Sequence, residues 1–127
     1  MATMKTKVST TKAPQATGPF SQAVVVGDFI FTSGQIYLTP EGKLLEESIE
    51  EQIHQIMKNL QAILEEAGVS FAHVVKTTVY VTDMGIYKTF NDIYGSYMQE
   101  PFPAREVVCI KELPLGAKVE ISMVAVK

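Results

Sequence analysis

From Ser48 onward the apolar residues Ile49, Ile53, Ile56, Met57, Leu60, Ile63, Leu64 and Ala67 recur at steps of three and four, a spacing that gathers them on one face of a helix. Ser48 followed by Glu51 has the spacing of a capping box, and Gly68 stands where a left-handed residue ends a helix. The pattern predicts a helix over 48–67 that lays its apolar face on a sheet. Elsewhere the period falls to two. "HVVKTTVYVTD" predicts a strand over 73–82, with Val75, Thr77, Val79 and Val81 on one side and Val74, Lys76, Thr78 and Tyr80 on the other. "AVVVGDFIFTSGQ" contains two β-rich runs joined by Gly27-Asp28, and glycine first in a two-residue loop suits a type II′ turn, so Ala23 to Thr32 is expected to be a hairpin. A second helical pattern, Ile86, Tyr87, Phe90, Ile93, Tyr94, Tyr97 and Met98, stops before Pro101 and Pro103. Strands are expected over 104–111 and 117–126, joined through "ELPLGA", with a further one between Lys5 and Thr10.

The resulting order, β-β-β-α-β-α-β-β, implies an α+β fold: a mixed β-sheet covered by two helices on one face. The other face would be left bare while carrying apolar residues, and a bare apolar face of that size calls for oligomerisation.

Composition narrows the function classes. At 127 residues the chain has the length of a single domain, 1–127, without repeats or an internal linker. No window approaches the ~20 apolar residues needed to span a bilayer. The start, "MATMKTKVSTTKAP", lacks an apolar segment after its lysines, and the single cysteine, Cys109, has no internal disulfide partner, so a cytoplasmic location is expected. Eleven scattered basic residues and a net charge of −3 give no footprint for nucleic acid.

No metal-ligand spacing, phosphate loop or nucleophile elbow is present. His54 and His73 stand alone and read as structural or solvated, and Cys109 reads as a buried small hydrophobe. Two residues stand out. Arg105 opens the run "REVVCI", and Glu120 interrupts "KVEISMVAVK". Arg105 can pair with a neighbouring acid or reach solvent, or it can present its planar fork to a carboxylate. Glu120 can face solvent, or it can sit on a half-buried face where a carboxylate becomes useful as a base.

The segments "GPFSQAV", "FTSGQI", "VVKTTVYVTDM", "FNDIYGSYM", "FPAR" and "LPLGAKVEISMVAV", in this order and spacing, resemble the RidA (YjgF) family of enamine/imine deaminases from about Pro14 to Lys127. The resemblance implies a homotrimer whose sheets form a central barrel, with three clefts between subunits. It also implies cofactor-independent hydrolysis of 2-enamine and 2-imine acids (2-aminoacrylate/2-iminopropanoate, 2-iminobutanoate) to 2-keto acids and ammonia; that no nucleic-acid or membrane partner is expected rests on the composition above. Within it Arg105 would grip the substrate carboxylate, and Glu120 would help place the attacking water. Ser33, Gly34, Gln35 and Asn91 would line the cleft, and the Val107 carbonyl could orient water. Three positions depart from the family pattern, Phe20 and the pair Glu106 and Val107, which stand where serine or threonine and then cysteine are frequent. Phe20 stands where tyrosine is common and so lacks a hydroxyl, and Glu106 places an acid next to Arg105, although strand alternation points the two side chains apart. A non-catalytic binder of acidic metabolites using the same cleft is the alternative, favoured by Phe20; an RNA-directed role is disfavoured by the chain's acidity.

Overall fold

The computed structural model describes residues 4–127. Six strands, β1 (Thr6–Val8), β2 (Ala23–Val26), β3 (Phe29–Thr32), β4 (Val74–Val81), β5 (Ala104–Cys109) and β6 (Val119–Val126), form one sheet in the order β1-β2-β3-β6-β4-β5. Helices α1 (Ile49–Glu66) and α2 (Tyr87–Tyr97) complete the expected α+β order. Neighbours are antiparallel except β4 and β5, which run parallel because the intervening α2 carries the chain back along the sheet.

Local chemistry explains the boundaries. Ser48 caps α1 through its Oγ, which accepts the Glu51 N–H at 3.2 Å. Only that half of the expected capping box is made. At the other end Gly68 takes φ +85°, its N–H reaches the Glu65 carbonyl, and the Val69 N–H reaches that of Leu64, the paired bonds of a Schellman motif. In the β2–β3 hairpin Gly27 has φ +59° while Asp28 keeps a negative φ, as a type II′ turn requires. β4 begins one residue later than expected because Ser70 and His73 cap each other across a 3-10 turn. β6 begins at Val119 after another 3-10 turn, Pro114–Gly116.

One expectation about side-chain direction is overturned. Val74 is buried and Val75 exposed, the reverse of the simple alternation, because the pairing of β4 with β6 slips between Val74 and Lys76. An extra residue there turns the strand's start over without disturbing Thr77, Val79 and Val81, which remain buried.

The sheet's two faces differ sharply. On one, Ile53, Ile56, Met57, Leu60, Ile63 and Leu64 of α1 are fully buried against Ile30, Ile121 and Ala125 of the sheet and its neighbours in the core. Each such side chain contributes roughly 1.5–3 kcal/mol relative to exposure. On the other, Phe29 and Phe31 stack at 6.1 Å between ring centroids yet remain 47% and 43% exposed, beside their strand partners Val126 and Val124. Among the described residues no helix is long and apolar enough to cross a membrane.

Candidate active site

The parallel register sets Arg105 beside Thr77, so its side chain leaves the edge strand β5 on the helix-covered face and meets α2. There the guanidinium carbon lies 5.2, 5.6 and 5.7 Å from the ring centroids of Tyr94, Phe90 and Tyr87. Nη2 donates to the Tyr87 hydroxyl at 2.9 Å. The cradle is itself anchored: Tyr94 donates its hydroxyl to Thr77 Oγ1 at 2.9 Å inside the core and stacks on Phe90. Burial pushes the Tyr94 phenol up from its ordinary value, against the smaller opposing pulls of the Thr77 bond and the Arg105 charge. Three ring faces and one hydroxyl thus fix the cation without neutralising it. A hollow of about 300 Å³ opens beside it, lined by Asn91, Tyr94, Gly95, Phe102, Pro103 and Arg105.

Glu120 leaves the sheet on the opposite face, where its strand partner is Tyr80. It borders a second hollow, of about 380 Å³, together with Phe20, Ser33, Gly34 and Gln35. Its carboxylate is half-buried, and desolvation raises its pKa from the ordinary carboxylate value. Gly34 makes this placement feasible: a β-carbon there would lie 2.6 Å from the Glu120 carboxyl carbon. The walls are firmly tied. Gln35 exchanges backbone hydrogen bonds with Ile121, and the Ser33 hydroxyl donates to the Ser21 carbonyl at 2.6 Å. Buried Gln22 accepts from the Thr10 N–H and donates to the carbonyls of Thr10, Ala13 and Pro14, pinning the segment that brings Pro14 and Gln15 to the hollow.

The predicted site residues therefore fall into two groups. Arg105 and Asn91 share one hollow; Phe20, Ser33, Gly34, Gln35 and Glu120 share the other; the two have no lining residue in common, and Val107 borders neither. Glu106 points away from Arg105, as alternation requires, and pairs with Lys76 at 2.9 Å. His54 contacts the Tyr97 hydroxyl at 2.6 Å through Nδ1, and His73 caps the 70–73 turn, so both are structural. Cys109, expected to be buried, is exposed, because it ends the edge strand. Among the described residues no group of His, Cys, Asp or Glu is arranged to hold a metal ion. The sequence pattern did not single out the cradle: Tyr87, Phe90 and Tyr94 fall at helical spacing and read as core. Their only distinguishing signal was that two of the three carry hydroxyls.

The sequence model of the family described as Endoribonuclease L-PSP matches residues 10–127. A RutC family protein of Aquifex aeolicus is 50% identical over 123 residues, covering 95% of this chain and 98% of its own. The 2-iminobutanoate/2-iminopropanoate deaminase of Mus musculus is 47% identical over 121 residues, covering 94% and 90%. Among solved structures, yeast Mmf1 superposes with a TM-score of 0.95 at 36% identity, covering 98% of this chain and 99% of its own.

Proposed function

The chain belongs to the Endoribonuclease L-PSP (RidA/YjgF) family, and from that premise we propose that it is a cofactor-independent 2-imino acid deaminase whose active site forms between the chains of a homotrimer. The family and several of its named relatives support an imine/enamine deaminase activity. The observation that carries the composite site is the separation of its parts. Arg105 and Glu120 project from opposite faces of one sheet into separate hollows, so a ligand of a few heavy atoms on a single chain cannot touch both. The bare sheet face with Phe29 and Phe31 gives the chains a surface on which to meet.

In this reading Arg105 and Asn91 of one chain receive the substrate carboxylate, the guanidinium through two parallel charge-assisted hydrogen bonds. Glu120 of the neighbouring chain faces the imine. Its carboxylate takes a proton from water as the water oxygen bonds to the imine carbon, and the imine nitrogen is protonated to give a carbinolamine. Collapse of that intermediate forms the keto C=O, breaks the C–N bond and releases ammonia. The overall balance is imino acid plus water to keto acid plus ammonia. Burial raises the Glu120 pKa, the direction that suits a group taking a proton from water and later returning it. Phe20 lines the Glu120 hollow as an aromatic wall without a hydroxyl. The single thiol, Cys109, is in keeping with a reducing cytoplasm. A ribonuclease reading, suggested by the family's description, is disfavoured by the net charge of −3 and by two histidines occupied in separate structural contacts.

Mixing tests the shared site. Arg105→Lys and Glu120→Gln, each impaired alone, are unfolded, combined and refolded, and ammonia release from freshly generated 2-aminoacrylate is followed. Random trimers contain native Arg105–Glu120 pairings at about a quarter of their interfaces, so activity returns if the site lies between chains. Absence of recovery in trimers shown by native mass spectrometry to be mixed would overturn the composite site.

A further inference from the structure

The reaction proposed above uses groups common to every 2-imino acid and leaves open which side chain the substrate carries. The Glu120 hollow bears on that choice. Its apolar wall is made by Phe20, Ile36, Leu38 and Leu115, with Pro14 and Pro114 beside them. The Ser33 hydroxyl, which could have wetted it, directs its proton to the Ser21 carbonyl instead. Measured on one chain the space is about 380 Å³, more than an acid with a methyl side chain would fill.

Leu115 is the unexpected member. It is the one non-glycine residue with positive φ among the described residues, at 58°, a conformation leucine keeps only when its surroundings impose it. Here a tight turn does so: the Gly116 N–H bonds to the Leu113 carbonyl, and the Ala117 N–H to that of Pro114. The outcome is a large apolar side chain, 68% exposed, held at the hollow with the 55% exposed Phe20. Neither is covered by this chain, and both border the space that Glu120 faces.

We propose that this hollow is a side-chain pocket that selects 2-imino acids with branched aliphatic or aromatic side chains over those with a methyl group, with Leu115 as a specificity-determining residue acting alongside Phe20. The proposal rests on the deaminase reading for its reaction, but the pocket's preference is a binding property and can be measured without turnover.

The experiment has two arms on the full chain. In the first, 2-imino acids are generated in situ from alanine, leucine and phenylalanine by an amino-acid oxidase with catalase, and keto-acid formation is compared with and without the protein. In the second, the unreactive products pyruvate, 4-methyl-2-oxopentanoate and phenylpyruvate are titrated by calorimetry. The larger acids are expected to be preferred by about tenfold or more in both arms. Leu115→Ala should lower that preference about tenfold, and Leu115→Met should largely preserve it. Equal affinity for the three keto acids, or no binding of any, would overturn the proposal. So would a Leu115→Ala protein that keeps the preference but loses particle mass in light scattering, which would make Leu115 an assembly contact. Preferential keto-acid binding without accelerated imine hydrolysis would support the pocket and overturn the deaminase reading. Accelerated hydrolysis without preference would do the reverse.

Discussion

The two hollows handle their charged groups in opposite ways. Arg105 is surrounded: three aromatic rings of α2 lie within 5.7 Å of its guanidinium carbon, and a phenol accepts one of its protons. Among the described residues Glu120 has no hydrogen-bond or salt-bridge partner, and its carboxylate fits only because Gly34 has no side chain. A permanent cation can be held in place without losing its charge, since ring faces attract it and leave its remaining N–H groups free. A titrating carboxylate is useful only if nothing holds it in one protonation state. In the proposed reaction, support suits Arg105 as the anchor and isolation suits Glu120 as the base.

Substitutions can break that contrast. Glu120→Gln keeps the shape and removes proton transfer, so kcat should fall roughly 10²-fold or more while keto-acid affinity measured by calorimetry stays near the parent value. Arg105→Lys keeps the charge and removes the fork, so kcat/KM should fall about 10- to 10²-fold, with keto-acid binding weakened in parallel. If the two variants showed the same split between binding and turnover, the contrast between anchor and base would be wrong. Gly34→Ala sharpens the Glu120 side. The new methyl meets the flexible end of a side chain rather than backbone, so the protein should fold, the carboxylate should be displaced, and kcat should fall about tenfold. Added to Glu120→Gln, the same substitution should cost little more, because both act through one group.

Smaller effects probe the supports. Tyr87→Phe removes the hydroxyl that accepts from Arg105 at 2.9 Å but keeps the ring. KM should rise about 2- to 10-fold with kcat nearly unchanged, and a fall in kcat alone would place Tyr87 elsewhere in the reaction. The weakest signal is in stability. Because burial raises the Glu120 pKa, the folded state binds a proton more readily than the unfolded one between the ordinary carboxylate pKa and the raised value. Stability should therefore decline as pH rises through that window, and melting curves of Glu120→Gln should lack that part of the decline.

Much of this was legible before the fold was known. The period of α1 and its Ser48 and Gly68 ends follow from residue spacing and capping chemistry, as does the Gly27-Asp28 turn. Arg105 and Glu120 were visible because charge is rare in such apolar runs. Other features depend on register, which no local pattern contains. The slip at Val75 exists only in the pairing of β4 with β6. The Arg105 cradle needs α2 to lie over the edge of the parallel pair, and Tyr87, Phe90 and Tyr94 looked like any amphipathic stripe until β5 was placed beside β4. Leu115 was hidden for a different reason, since a leucine before a glycine gives no sign that the leucine itself takes the left-handed conformation.

Gln22 has a consequence for timing. Its single buried amide joins Thr10, Ala13 and Pro14 through four hydrogen bonds, in a stretch between β1 and β2 that has no helix or strand of its own. Fraying of such a segment usually proceeds residue by residue, but here no one contact can be released profitably while the others hold the same side chain. The segment that supplies Pro14, Gln15 and Thr17 to the Glu120 hollow is thereby made to open cooperatively or stay shut, a latch rather than a hinge.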